Sequence, residues 1–211
     1  MTEYPVQPGS LMLPILFSML LFSFAGAISP GPVNLIAASI GANAGFSRAL
    51  PHVAGASVSY AAIVWLMGSS LQGVLIAYPQ ITSWLQYAGA AYLLYLSANI
   101  AAAKPVMAQQ SPPVRMGGLM QGVLSQCLNP KAWLVAMSGV SLFITAHQDS
   151  SFLRLAFCGI SGVVCFCSIA IWAALGKIIS KWLAHAIYQL MFNRIMAVLL
   201  AATVVSMLCA V

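Results

Sequence analysis

Two short stretches, SPGPVN at 29–34 and NPKA at 129–132, hold most of the polar chemistry of an otherwise apolar chain. Lys131 stands 16 residues beyond Arg115 and 16 before His147, too deep to snorkel easily to either end of an apolar run. A lysine inside a membrane span is disfavoured by about 2.5 kcal/mol or more, so its ammonium must reach a cavity, a partner or the interface. A cavity-facing ammonium can neutralise an anionic substrate group; the alternative is a hydrogen bond to carbonyls freed by Pro130. Proline removes a backbone donor and clashes with the preceding turn, so Pro30, Pro32 and Pro130 should each break or start a helix. Ser29 can cap a new helix, and Pro30 or Pro32 can occupy its first turn. Such a helix would aim N–H groups and a positive dipole end into the protein, which suits a carboxylate. A structural kink without a ligand is the alternative.

These residues must be held by helices in a bilayer. The chain of 211 residues is 62% hydrophobic and 5% charged, with a mean hydropathy of +0.96. A soluble domain carries about 25% charged residues, so this is an integral membrane protein. Its net charge of +6 does not make a nucleic-acid face, because the charges other than Lys131 fall in or beside short connections. The first ten residues, MTEYPVQPGS, lack the basic region of a cleavable signal, so the first apolar run is expected to be retained as a span. Cys127, Cys158, Cys165, Cys167 and Cys209 all lie in apolar runs. Neither a disulfide framework nor a metal site is expected from them, and no cofactor is implied.

A span needs about 20 apolar residues. Six are expected, at about 11–30, 53–77, 81–103, 118–146, 155–176 and 191–211. One side of the membrane receives Arg48, Lys104, Arg115, Lys177, Lys181 and Arg194, and the other only Arg154, with Glu3 and Asp149. The basic side is therefore cytoplasmic and both termini outside. The segment 177–188 reads as a short interfacial helix. The polar stretch 104–116 divides the chain into a first repeat at about 11–103 and a second at about 117–211, within one membrane domain covering 1–211. Three spans per half make the halves inverted. Pro30 and Pro130, 100 residues apart, interrupt the first span of each. Paired interruptions of this kind point to a transporter substrate site near the midplane. The run from Leu11 to Gly45 would extend about 50 Å as one helix against a core of about 30 Å, so it must tilt, kink or re-enter. GxxxG spacings at 41–45 and 118–122 can bring helices together within the chain or in a homo-oligomer.

Across residues 15–145 the sequence resembles the LysE/RhtB family of amino-acid exporters. The resemblance rests on SPGPVNLIAASIGANAGFSRALPHVAGASVSY, on WLQYAGAAYLLYLSANI and on GGLMQGVLSQCLNPKAWLVAMSGVSLF. It implies a bacterial inner-membrane protein of six hydrophobic segments that exports amino acids or close derivatives, driven by the proton gradient. Its PGP motif falls on Pro30, Gly31 and Pro32, followed by Asn34, and its NPK motif on Asn129, Pro130 and Lys131.

Many members carry an acid early in the second span, where this chain has Tyr60; those similar to cysteine and O-acetylserine exporters lack it. Without a carboxylate in any span, a dicationic substrate would meet Lys131 uncompensated, so a neutral amino acid or derivative is expected. Its α-carboxylate would meet Lys131 and the N–H groups after SPGP. Its α-amino group would meet carbonyls freed at the prolines, with Asn34 and Asn129 as partners. Ser57 and Tyr60, one turn apart, would line the side-chain pocket. Proton coupling has His52 and Lys131 as its titratable candidates, besides the substrate itself. The rival readings are export of basic amino acids or of a metal cation, and an intramembrane enzyme built on GISG at 159–162. The metal lacks converging ligands, and no histidine stands well inside a span to serve as the enzyme's base.

Overall fold

The computed structural model describes residues 8–102, 118–145, 150–180 and 185–209. Every regular element among them is helical: α1 Pro8–Ile28, α2 Pro32–Ala44, α3 Phe46–Leu66, α4 Gln72–Ala77, α5 Pro79–Ala101, α6 Leu119–Cys127, α7 Pro130–Val140, α8 Ser150–Ser180 and α9 Ala186–Cys209. One-turn π-helical segments follow α3 (Met67–Leu71) and α7 (Ser141–Thr145).

The prolines set the boundaries at the two polar stretches. Pro32 and Pro130 each sit at the start of a helix, where the missing N–H would have had no intrahelical partner. The axes on either side of each break diverge by 62° between α1 and α2, and by 65° between α6 and α7 with its π turn. Gly45 ends α2 and admits α3 with φ of 91°, a conformation that disfavours any side chain.

Among the described residues, three helices are long and apolar enough to cross a bilayer: Phe46–Ser69, Ser151–Ile179 and Ala186–Val205. The number rises to at most five if each bent pair is one span. The expected span at 81–103 falls on α5, whose opening QITSWLQY is more polar than the rest. The expected span at 53–77 begins earlier, at Phe46, because Gly45 supplies the turn. The expected interfacial helix at 177–188 lies partly outside the described residues. Lys177 lies in the last turn of α8 and Tyr188 in α9, while 181–184, like the linker 104–116 and both carboxylates, lies outside the described residues. Arg154, expected in or beside a connection, lies near the start of α8. Its guanidinium donates to the Gly68 carbonyl at 3.2 Å, at the π-helical turn, and lies 4.9 Å over the Trp65 ring.

The core has two parts that share α2. Val33, Ala37, Val53, Ala56, Ala136, Phe157 and Ala173 join α2 to α3, α7 and α8. Leu35, Ile36, Leu93, Leu96 and Leu200 join α2 to α5 and α9. Small residues allow the closest crossings. A Cβ on Gly41 would overlap the Ala173 carbonyl, and one on Gly176 the Ala38 carbonyl, so α2 and α8 touch backbone to backbone. Gly55 against Leu119 and Gly122 against His52 do the same for α3 and α6. Gly118 and Gly45, the other glycines of the GxxxG spacings, meet nothing within 4 Å among the described residues.

Candidate substrate site

The end of α1 exposes carbonyls that no further helical turn can satisfy, and each finds a side chain. Ser29 Oγ donates to the Gly26 carbonyl at 3.1 Å. Asn34 Nδ2 donates to the carbonyls of Ala27 at 2.8 Å and Ser29 at 3.0 Å. Trp172 Nε1 of α8 donates to the Ile28 carbonyl at 3.0 Å. Lys131 Nζ reaches across from α7 to Ser29, donating to its hydroxyl at 2.6 Å and to its carbonyl at 3.2 Å. The ammonium therefore sits at the negative end of the α1 dipole, where a cation is favoured. No Asp or Glu occurs among the described residues, so carbonyl and hydroxyl oxygens alone face this charge.

The second break is built the same way. Asn129 caps α7 by accepting from the Lys131 backbone N–H at 3.2 Å, and Trp133 Nε1 donates to the Cys127 carbonyl at 2.7 Å. That cap fixes the start of α7 and so aims the Lys131 side chain at α1.

Between the breaks lies a cavity lined by Gly31, Asn34, Tyr60, Gln126, Asn129 and Lys131, with Gly26, Ala27, Val33, Ala132, Val135, Cys165 and Ile169 as the less polar wall. It has ≈ 40 Å³ of room for water centres, and each water needs about 10–15 Å³. An amino acid needs more, so binding one requires the walls to part.

Of the residues singled out in the sequence, Gly31, Asn34, Tyr60, Asn129 and Lys131 line this cavity, and Ser29 holds Lys131. Several roles differ from expectation. Ser29 does not cap α2: the N-cap is Gly31, which has no side chain to offer, and Ser29 turns back to α1 instead. Pro30 is exposed and Pro32 buried, and neither lines the cavity. Pro130 starts α7 without touching the cavity. Ser57 is not in the wall; its hydroxyl donates to the Val53 carbonyl at 2.7 Å within α3. His52 is fully buried between α3 and α2, with Nε2 3.3 Å from the Val33 carbonyl and Nδ1 without a partner among the described residues. Ser161 of GISG is buried against Ser23 of α1, hydroxyl to hydroxyl at 3.2 Å.

Gln126 and Cys165 were not anticipated. Gln126 stands just before NPK and could have been suspected as a polar residue in an apolar run. Cys165 carries no signal in an all-round apolar helix.

Long apolar helices enclosing a polar cavity at two paired helix ends define a membrane transporter. The LysE type translocator model matches residues 24–210, and the chain belongs to that family. Among its relatives are proteins named cysteine/O-acetylserine efflux protein. That of Salmonella choleraesuis strain SC-B67 is 28% identical over 196 residues, covering 90% of this chain and 95% of the relative. That of Klebsiella pneumoniae subsp. pneumoniae is 29% identical with the same coverage, and that of Escherichia coli O1:K1 / APEC is 25% identical over 203 residues. No solved structure matches the chain.

Proposed function

We propose that this protein exports a neutral amino acid or amino-acid derivative across the bacterial inner membrane. The observation that carries the reading is the Lys131 ammonium, held by Ser29 in a cavity between two helix breaks and faced by no carboxylate among the described residues. The names of the relatives support a substrate of the cysteine or O-acetylserine type.

Each bent pair is a single broken span, α5 is a further span, and the two inverted halves rock about the breaks to give alternating access. The substrate α-carboxylate meets Lys131 and the first N–H groups of α2. Its ammonium takes over α1 carbonyls now served by Lys131 and Asn34, so binding exchanges one cation for another on the same oxygens. A second positive charge would add repulsion to the half-buried ammonium. The basic connections face the cytoplasm and both termini face out, which reporter fusions at the carboxyl terminus and within 104–116 would test. Export is driven by the proton gradient, with His52 or Lys131 as the carrier.

The test is efflux from loaded proteoliposomes containing cysteine, O-acetylserine, threonine, leucine, lysine or arginine, with and without a pH gradient. Efflux of neutral substrates only, accelerated by the gradient, is the expected result. Efflux of lysine or arginine overturns the charge reading, and gradient-independent efflux overturns the coupling.

A further inference from the structure

The cavity has a second polar group that the carboxylate and ammonium of an amino acid do not use. Gln126 sits on α6 one residue before the end of that helix, and its backbone carbonyl accepts from Asn129 N at 3.1 Å. This ties the position of its side chain to the NPK break. The side chain is 5% exposed and lines the cavity, facing Cys165 of α8, which is 4% exposed. Tyr60, on α3, lines the same cavity.

Gln126 is poorly satisfied for a buried amide. Its Nε2 donates only to Cys165 Sγ, at 3.9 Å, and sulfur is a weak acceptor. The second N–H and the amide oxygen have no side-chain partner among the described residues. The amide oxygen is not fully shielded and opens to the cavity, where a further group can complete it. Lys131 and Asn34 have oxygen acceptors within 3.2 Å at the other group of cavity residues. The contrast divides the wall into a part that handles charge and a part that is neutral, polar and open to a further hydrogen bond.

The geometry points to Gln126 as the residue that selects the substrate side chain, with Cys165 and Tyr60 shaping the space around it. The class it selects is a neutral amino acid carrying a hydroxyl, thiol or ester oxygen on a short side chain. An amide can donate to an ester or hydroxyl oxygen and accept from a hydroxyl or thiol proton, so one residue serves all three. A cationic side chain finds no counter-charge there, and a purely apolar one leaves the amide unpaired. Sites built to hydrogen-bond a substrate group reject the analogue lacking it for that reason. The inference rests on the reading of the cavity as an amino-acid site.

The experiment is efflux from proteoliposomes with two variants of similar side-chain length, Gln126→Met and Gln126→Glu, against the parent. The substrates are serine, cysteine and O-acetylserine, the apolar norvaline and valine, and the cationic 2,3-diaminopropionate. Gln126→Met is expected to lower the efflux ratio of polar to apolar substrates at least about tenfold, the loss of one buried hydrogen bond. Gln126→Glu is expected to gain efflux of 2,3-diaminopropionate that the parent lacks, a result that misfolding cannot produce. Equal scaling of all substrates in Gln126→Met, with no new substrate in Gln126→Glu, would show a merely structural amide and overturn the inference. A parent that moves no amino acid removes the proposed function itself; a transporting parent with unaltered variant selectivity removes only the role of Gln126.

Discussion

Replacing Lys131 by methionine separates a substrate role from a structural one. In the parent the ammonium makes two contacts, to Ser29 Oγ at 2.6 Å and to the Ser29 carbonyl at 3.2 Å. Losing them leaves no orphan, because Asn34 still donates to the Ser29 carbonyl and the Ser29 hydroxyl still donates to Gly26. The substitution also removes a lysine whose presence in a span is disfavoured by about 2.5 kcal/mol. Charge-assisted contacts contribute about 1.5–3 kcal/mol each, about 3–6 kcal/mol for the two, so relief of the span penalty offsets only part of the loss and stability should fall by about 0.5–3.5 kcal/mol. Transport should behave differently. If the substrate carboxylate gains one charge-assisted hydrogen bond from Lys131, its loss raises KM by about 10- to 150-fold. The assay is concentration-dependent efflux at matched reconstitution, with thermal unfolding in detergent on the same preparations. A KM within twofold of the parent refutes the carboxylate role. A large loss of stability with unchanged KM would mean that Lys131 serves only to brace the α1 end.

Three further outcomes follow from other contacts. Asn34→Ala leaves the Ala27 carbonyl without its side-chain donor and should lower stability by about 1–3 kcal/mol, read by thermal unfolding. Gly41→Val or Gly176→Val would push α2 and α8 apart at backbone contact and should reduce folded yield sharply in size-exclusion profiles; valine at Gly118, which meets nothing among the described residues, should not. His52→Gln keeps a donor for the Val33 carbonyl but cannot carry a proton. If His52 is the carrier, substrate counterflow survives in this variant while acceleration by a pH gradient disappears; persistent acceleration transfers the role to Lys131 or the substrate.

Much of the site was legible in the sequence because its signals are covalent or compositional. Proline has no N–H wherever it stands, so Pro32 and Pro130 mark helix starts before any packing is known. A lysine in an apolar run must find oxygen atoms, whatever the fold. The roles of Ser29 and His52 were not legible. Capping depends on which residue takes extended backbone at the start of α2, and Gly31 does so with φ of −162°. The burial of His52 depends on Gly122, 70 residues away, bringing α6 against its backbone.

By itself the sequence determined that this chain lives in a membrane, that two proline-marked breaks stand 100 residues apart, and that one cation lies within an apolar run beside the second. Those conclusions depend only on residue chemistry and counting. Only the tertiary structure decided that Lys131 lands on Ser29, that Gly41 pairs with Ala173 and Gly55 with Leu119, and that Gln126 and Cys165 share a cavity wall. The reason is physical. In a soluble helix the polar stripe marks the outer face, but here lipid and protein core are both apolar, so periodicity does not tell a cavity-facing position from a lipid-facing one. That distinction comes from helix crossings between residues more than 60 positions apart, such as Gly55 against Leu119 and Gly41 against Ala173, and no local pattern encodes them.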